Sequence, residues 1–99
     1  MIIVAGTIRI DPDKREAFLP HAKTMLAATR KEAGCLVYSF AFDVADAGLV
    51  RIYEEWESRA HLEAHFKVPH MADWRAALET IGAHSRAVKA FESEGGEAI

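Results

Sequence analysis

The sequence predicts a single α+β domain in which helices cover one face of a four-stranded antiparallel sheet. Two apolar segments separated by a short turn occupy the middle of the chain, and a segment of helical periodicity lies on each side of them. A further apolar segment lies towards each end, which gives the element order β-α-β-β-α-β. The length of 99 residues corresponds to one domain, residues 1–99.

The first strand is predicted over residues 2–10, IIVAGTIRI, because this segment is rich in β-branched residues and apolar at both parities. Asp11 can cap a following helix, and Pro12 suits its first turn. We expect this helix to run for about 20 residues to Gly34, with a bend at Pro20. Its inner face is predicted from side chains at helical spacing: Phe18, Ala22, Met25 and Thr29.

An antiparallel hairpin is predicted next. Residues 35–43, CLVYSFAFD, alternate in the manner of a strand, and residues 49–57, LVRIYEEWE, form its partner. The short segment 45–48, ADAG, is the turn between them. The residues that share one face of the second strand are Val50, Ile52, Glu54 and Trp56.

A broken helix is predicted after the hairpin. Ser58 is a good N-cap, and the helix should reach about Lys67. Pro69 disfavours helix at Val68 and can itself begin a second helix, which ends at Gly82.

Residues 83–91, AHSRAVKAF, are predicted to form the last strand, and residues 92–99 a flexible or partner-bound tail. This order of elements is the ferredoxin-like arrangement, which leaves one face of the sheet without helices. Because the first two strands are apolar on both sides, we expect a second copy of the chain to cover that face in a sheet-to-sheet homodimer.

The composition argues against several classes of partner. A net charge of -3 and scattered Lys and Arg residues provide no basic surface for nucleic acid. The apolar residues 1–10 are few and lack a basic leader, so we predict neither a signal peptide nor a membrane span. Cys35 is the single cysteine, so no intrachain disulfide can form and a cytoplasmic location is expected. The chain contains no asparagine or glutamine, which excludes chemistry that needs a side-chain amide.

Residues 54–74, EEWESRAHLEAHFKVPHMADW, hold three of the five histidines. His61 and His65 stand at i and i+4 on one helix face, and His70 could be a third metal ligand. A zinc hydrolase motif needs a glutamate directly after its first histidine, whereas Glu63 lies about half a turn from the histidine face. We therefore predict no metal and place His61 on the helix surface.

Five side chains in or near this region are candidates for an acid–base or ligand site. His65 lies near the apolar side of its helix, where it is either a satisfied core histidine or part of a pocket. His70 begins a helix, whose dipole favours a neutral imidazole that can accept a proton. Glu54 and Trp56 share a strand face that Tyr38 can join, forming either a pocket floor or an ordinary aromatic core. Other aromatic residues are expected in the core or an interface: Phe40, Phe42, Trp74 and Phe91.

Two stretches resemble the antibiotic biosynthesis monooxygenase family. EAGCLVYSF at residues 32–40 carries the pattern E-x-G-C-x-x-Y, and residues 51–74 carry E-x-W-x-S and then a helix that ends in H-x-x-x-P-H. The resemblance implies a dimeric α+β barrel in which each subunit keeps a pocket between its own sheet and helices. It also implies oxygenation of hydroquinone-like or polyketide aromatics without metal, haem or flavin.

The positions that match the family's site are Tyr38, Glu54, Trp56, His65 and His70. Relatives that degrade haem resemble one another in using an asparagine near the substrate and a tryptophan where this chain has His65. Haem degradation is therefore not expected. The resemblance implies fold more strongly than reaction, because one fold can carry many different sites.

The leading hypothesis is a cofactor-independent monooxygenase for a small aromatic substrate, with dioxygen as the oxidant. His65 or His70 takes a proton from a phenolic hydroxyl, Trp56 and Tyr38 border the ring, and Glu54 orients the histidine or the substrate.

Two other functions stay open. One is a non-catalytic dimer that binds a small aromatic molecule. The other is an isomerase of a small phosphorylated metabolite, which would need cations for phosphate, and Arg51, Arg86 and Lys89 are the candidates.

Overall fold

The protein contains a four-stranded antiparallel sheet with three helices, as described for all 99 residues by a computed structural model. The strands are β1 (Ile2–Arg9), β2 (Cys35–Phe42), β3 (Leu49–Trp56) and β4 (His84–Glu92). The helices are α1 (Arg15–Thr29), α2 (Arg59–His65) and α3 (Pro69–Ile81). The strand order across the sheet is β2-β3-β1-β4, which confirms the predicted ferredoxin-like α+β fold. None of the three helices has the length and apolar character needed to cross a membrane.

The first helix differs from its prediction at both ends. Pro12–Lys14 forms a separate 3₁₀ turn, and α1 has 15 residues. It continues through Pro20 but ends at Thr29 rather than at Gly34. Beyond Thr29 the amide of Glu32 donates to the carbonyl of Thr29, three residues back, at 2.9 Å. Hydrogen bonds between residues three apart form a tighter turn than an α-helix, so the helix ends here and the chain turns towards β2.

The break between α2 and α3 is confirmed. Ser58 caps α2 by accepting a hydrogen bond from a first-turn amide at 3.3 Å, although α2 ends at His65, short of the predicted boundary. Val68 is extended, with ψ of 150°, because Pro69 disfavours helix in the residue before it. Gly82 then ends α3 in the left-handed conformation, with φ of 82°.

The core lies between the helices and one face of the sheet. α1 buries the four residues predicted for its inner face: Phe18, Ala22, Met25 and Thr29. The ring of Trp74 on α3 stacks on Phe40 with centroids 5.1 Å apart and lies 5.6 Å from Phe18. Trp74 is therefore a core residue, as predicted, and this aromatic contact joins α1, α3 and β2.

The opposite face of the sheet carries no helix. One row of cross-strand neighbours on it is Phe91, Ile3, Glu55 and Val37, and the next is Lys89, Ala5, Tyr53 and Ser39. Several apolar side chains of this face are substantially exposed in the single chain: Phe91 at 50%, Tyr53 at 38% and Val37 at 36%. Phe91 therefore lies outside the core. The sequence predicts it either in the core or in an interface, and only the interface is still possible.

Candidate active site

Glu32, His65 and His70 form a hydrogen-bonded cluster beside the turn between α1 and β2. Oε2 of Glu32 accepts a hydrogen bond from Nδ1 of His65 at 2.8 Å and from Nε2 of His70 at 2.7 Å. Hydrogen bonds to a carboxylate at these distances are among the stronger ones in proteins. Two histidines that are 33 and 38 residues from Glu32 along the chain thus meet at a single carboxylate oxygen.

The local backbone explains why these residues converge. Glu32 lies in the turn after α1, and Gly34, with φ of 79°, lets the chain enter β2 in a conformation that other residues rarely adopt. His65 is the last residue of α2, and His70 is the second residue of α3. The break at Pro69 therefore places one histidine on each side of a bend that faces the turn.

Glu32 determines which nitrogen of each histidine carries a proton. An ionised carboxylate only accepts hydrogen bonds, so both ring nitrogens that contact it are donors. The neutral form of His65 is then protonated at Nδ1 and basic at Nε2, whereas that of His70 is protonated at Nε2 and basic at Nδ1. Neither basic nitrogen has a hydrogen-bond partner in the protein. Either nitrogen can therefore take a proton without breaking a hydrogen bond within the protein.

His65 lies in an aromatic, nearly dry environment. Its side chain is 1% exposed, and its ring centroid lies 4.8 Å from that of Trp56 and 5.4 Å from that of Tyr38. Burial lowers the pKa of His65 from its ordinary value of 6.5, although the hydrogen bond and charge of Glu32 partly offset this effect. His65 is therefore neutral at pH 7, which is the form that can take a proton.

Glu54 contacts Trp56 rather than a histidine. Nε1 of Trp56 donates to Oε1 of Glu54 at 2.8 Å, and both side chains are buried. Burial raises the pKa of Glu54, and the Trp56 hydrogen bond and the charge of Arg86 act in the opposite direction. Of the two roles expected for Glu54, orienting a histidine is wrong, because Glu32 makes that contact. A contact between Glu54 and the substrate stays a prediction.

The side chains expected to floor a pocket are packed by protein. Trp56 has no exposed surface, and Tyr38 is only 3% exposed. Neither residue lines any of the four main cavities of the chain. A substrate could contact these rings only if neighbouring side chains moved, so their role in substrate binding stays a prediction.

A cavity of about 460 Å³ lies between α3 and the edge of the sheet formed by β1 and β4. Its volume falls in the range of small-molecule sites. Phe66 and Met71, which directly follow His65 and His70, are part of its wall, whereas the three side chains of the cluster are not. The apolar lining consists of Ile8, Phe66, Met71, Trp74, Leu78 and Ala83. The polar lining consists of Arg75, Glu79, His84 and Arg86.

The metal-ligand set considered from the sequence, which included His61, does not form. Nδ1 of His61 lies 2.7 Å from Oγ of Ser58, outside the cluster. The chelating atoms of Glu32, His65 and His70 do lie within 4.8 Å of one another, and two imidazoles with one carboxylate can hold a divalent metal. Direct hydrogen bonds of 2.7 and 2.8 Å account for the observed arrangement of these three side chains.

Sequence reasoning missed Glu32. Glu32 opens the E-x-G-C-x-x-Y pattern, which by itself predicts the start of a strand and a family resemblance but no role for the carboxylate. The one local signal for it is a carboxylate in a turn, two residues before a glycine with positive φ.

The fold and the cluster define a ferredoxin-like α+β domain in which two histidines share one carboxylate, with a cavity of small-molecule size beside α3. The chain belongs to the antibiotic biosynthesis monooxygenase family, whose model matches residues 1–77. The Escherichia coli protein named Probable quinol monooxygenase YgiN is 34% identical over 90 residues, which covers 80% of this chain and 86% of that protein. The Synechocystis protein sll1783 is 37% identical over 73 residues, or 74% of this chain, and the match spans 50% of its length.

Solved structures agree with this assignment. A crystal structure from Deinococcus radiodurans superposes with a TM-score of 0.89 at 27% identity and covers 100% of this chain and 96% of that one. The structure of Rv0793 from Mycobacterium tuberculosis gives a TM-score of 0.85 at 25% identity, with 98% of each chain covered. The family resemblance inferred from the sequence is therefore confirmed, and it indicates a monooxygenase.

Proposed function

We propose that this protein oxidises a small hydroquinone-like aromatic with dioxygen, using His65 as the base and no metal, haem or flavin. The observation that carries the proposal is a buried, neutral imidazole whose tautomer is determined by the carboxylate of Glu32. Family membership and the name of the Escherichia coli relative support the reaction type and the substrate class.

The reaction needs no reductant other than the substrate. Nε2 of His65 takes a proton from a ring hydroxyl, and the resulting phenolate is electron-rich enough to reduce dioxygen. One oxygen atom enters the ring and the other leaves as water, so a dihydroxybenzene and dioxygen give a hydroxyquinone and water. The substrate supplies all four electrons.

The cavity beside Phe66 and Met71 is the proposed place for the substrate. Phe66 is 46% exposed, and its ring centroid lies 6.1 Å from that of His65. An exposed side chain changes rotamer within nanoseconds, so a movement of Phe66 opens a path from the cavity towards His65. Trp56 and Tyr38 then border the substrate ring.

Oxygen uptake with a panel of dihydroxybenzenes tests the proposal. We expect His65→Ala to lower kcat by about 10²- to 10⁴-fold, because the proton acceptor is lost. His61→Ala is the matched control and should retain the wild-type rate, since the ring of His61 hydrogen-bonds to Ser58 and to no residue of the Glu32 cluster. Uptake should also be unaffected by EDTA.

Three results would count against the proposal. Equal rates for the wild type and His65→Ala would eliminate this histidine as the base, and a loss confined to His70→Ala would transfer the role to His70. Loss of activity in EDTA, with recovery on addition of a metal ion, would contradict the metal-free mechanism. Tight binding in calorimetry without any oxygen uptake would favour the non-catalytic binding module.

The open face of the sheet is the proposed dimer interface. Exposed Phe91 and Val37 stand at the two ends of one cross-strand row. Phe91→Lys combined with Val37→Lys should convert a dimer to a monomer in light scattering, because two charges would be buried without partners. Val44→Lys, at a fully exposed position between β2 and β3, is the control and should stay dimeric. A dimer that persists in the double variant would contradict this interface.

A further inference from the structure

We infer that the substrate of this site carries a carboxylate group, which Arg86 binds at the wall of the cavity of about 460 Å³. The inference rests on the proposed function only in treating this cavity as the substrate site. It concerns a residue of β4, which lies beyond the part of the chain that the family model matches.

Arg86 is the cavity cation without a bonded partner. Arg75, the other arginine of the lining, donates from Nη2 to the carbonyl oxygen of Phe66 at 2.8 Å. Arg86 has no carboxylate within ion-pair distance and makes no side-chain hydrogen bond to the protein; the ion pairs of the chain are Arg9–Asp46, Arg51–Asp43, His65–Glu32 and His70–Glu32. Its guanidinium can therefore offer two parallel N–H groups to an incoming carboxylate.

Glu54 is the acid whose charge acts on Arg86, but it does not bind the guanidinium as a ligand carboxylate would. Glu54 is 7% exposed, and one of its oxygens already accepts the hydrogen bond of Trp56. Burial also raises the pKa of Glu54, which weakens the negative charge that it presents. A bound carboxylate would supply the charge-assisted contact that Arg86 lacks.

The structure also distinguishes Arg86 from the other cations considered from the sequence. Lys89 lies on the open face of the sheet, and Arg51 is paired with Asp43 at 2.9 Å. Arg86 follows a bulge in β4, where Ser85 has φ of 54° and the pairing with β1 shifts by one residue. Bulges of this kind redirect side chains next to functional sites.

The charges of the lining favour a carboxylate over a phosphate. Two arginines, Arg75 and Arg86, line the cavity together with a single carboxylate, Glu79, so the formal charge of these three side chains is positive by one. A phosphate monoester carries about -1.5 to -2 charges and is usually held by several donors or a nest of backbone amides. A formal charge of one matches a monoanion.

Calorimetry without oxygen tests the inference because binding is then measured in the absence of turnover. The probes are 2,5-dihydroxybenzoate, neutral 1,4-dihydroxybenzene and phenyl phosphate. We expect the wild type to bind the benzoate at least about tenfold more tightly than the neutral compound, since a hydrogen bond to a charged group is added. Arg86→Gln should abolish this preference. The matched control Arg59→Gln, at an exposed position of α2 outside this cavity, should retain it.

Each alternative outcome has a defined meaning. Equal affinities for the two dihydroxy compounds, no binding of either, or a preference that survives in Arg86→Gln would overturn the inference. Tighter binding of phenyl phosphate would replace the carboxylate by a phosphate and also overturn it. Arg86-dependent binding of the benzoate without oxygen uptake would leave the inference standing and refute the monooxygenase. Oxygen uptake with neutral aromatics at a rate that Arg86→Gln leaves unchanged would refute the inference and leave the monooxygenase standing.

Discussion

Replacing Glu32 with alanine should lower the kcat for oxygen uptake by at least about 100-fold, although Glu32 need not touch the substrate. Its carboxylate is the partner that keeps the proton of His65 on Nδ1 and leaves Nε2 basic. Without it the imidazole can adopt the other tautomer or rotate, and the fraction with a basic nitrogen towards the substrate falls. The measurement is steady-state oxygen consumption with the best dihydroxybenzene of the panel.

The pH profile separates this positioning role from a general structural one. In the wild type, kcat/KM should fall on the acid side as pH drops through the pKa of His65, which burial holds below 6.5. The hydrogen bond and the charge of Glu32 both raise that pKa, so their removal should shift the acid limb to lower pH. His70 and Arg75 disfavour the protonated form and remain in the variant.

Glu63→Ala is the matched control, because Glu63 is an exposed carboxylate on α2, the helix that carries His65. Neither its kcat nor its acid limb should change. An unchanged acid limb in Glu32→Ala, or a shift to higher pH, would contradict the assignment of Glu32 as the partner of the base.

The largest effect on stability is expected at Trp56. Trp56→Ala should lower the free energy of unfolding by about 3 to 5 kcal/mol, because a fully buried indole leaves a cavity between β3 and α2. The substitution also removes the hydrogen bond to Glu54, so that a buried carboxylate loses its donor. Urea denaturation followed by far-UV circular dichroism measures the change.

Two further variants separate packing from the hydrogen bond. Trp56→Phe retains most of the buried ring but lacks Nε1, and it should cost about 1 to 3 kcal/mol for the unsatisfied carboxylate. Glu54→Met in the Trp56→Phe background should recover part of that loss, since no buried charge then remains. A cost below about 1 kcal/mol for Trp56→Ala would show that the site collapses freely and that this core is not well packed.

Local signals in the sequence were sufficient for the order and type of the elements. Apolar side chains repeat differently in helices and strands, and Ser58, Pro69 and Gly82 mark helix boundaries through conformational preferences that act over only a few residues. Residues 30–33 contain no strong helix breaker, so the sequence predicts a later end of α1 than the structure shows. The turn after α1 is determined by hydrogen bonds between residues three apart and by the contacts of Glu32.

Local signals in the sequence do not predict which residues form the site. The histidines of residues 61–70 are close together in the sequence, whereas Glu32 is 33 residues from His65 and meets it only when a turn packs against α2. Glu54 was expected near a histidine, but Trp56, two residues away on the same strand face, satisfies it. Periodicity specifies which face a side chain occupies. It carries no information about which loop approaches that face, and a buried polar group bonds to whichever partner the tertiary packing brings within reach.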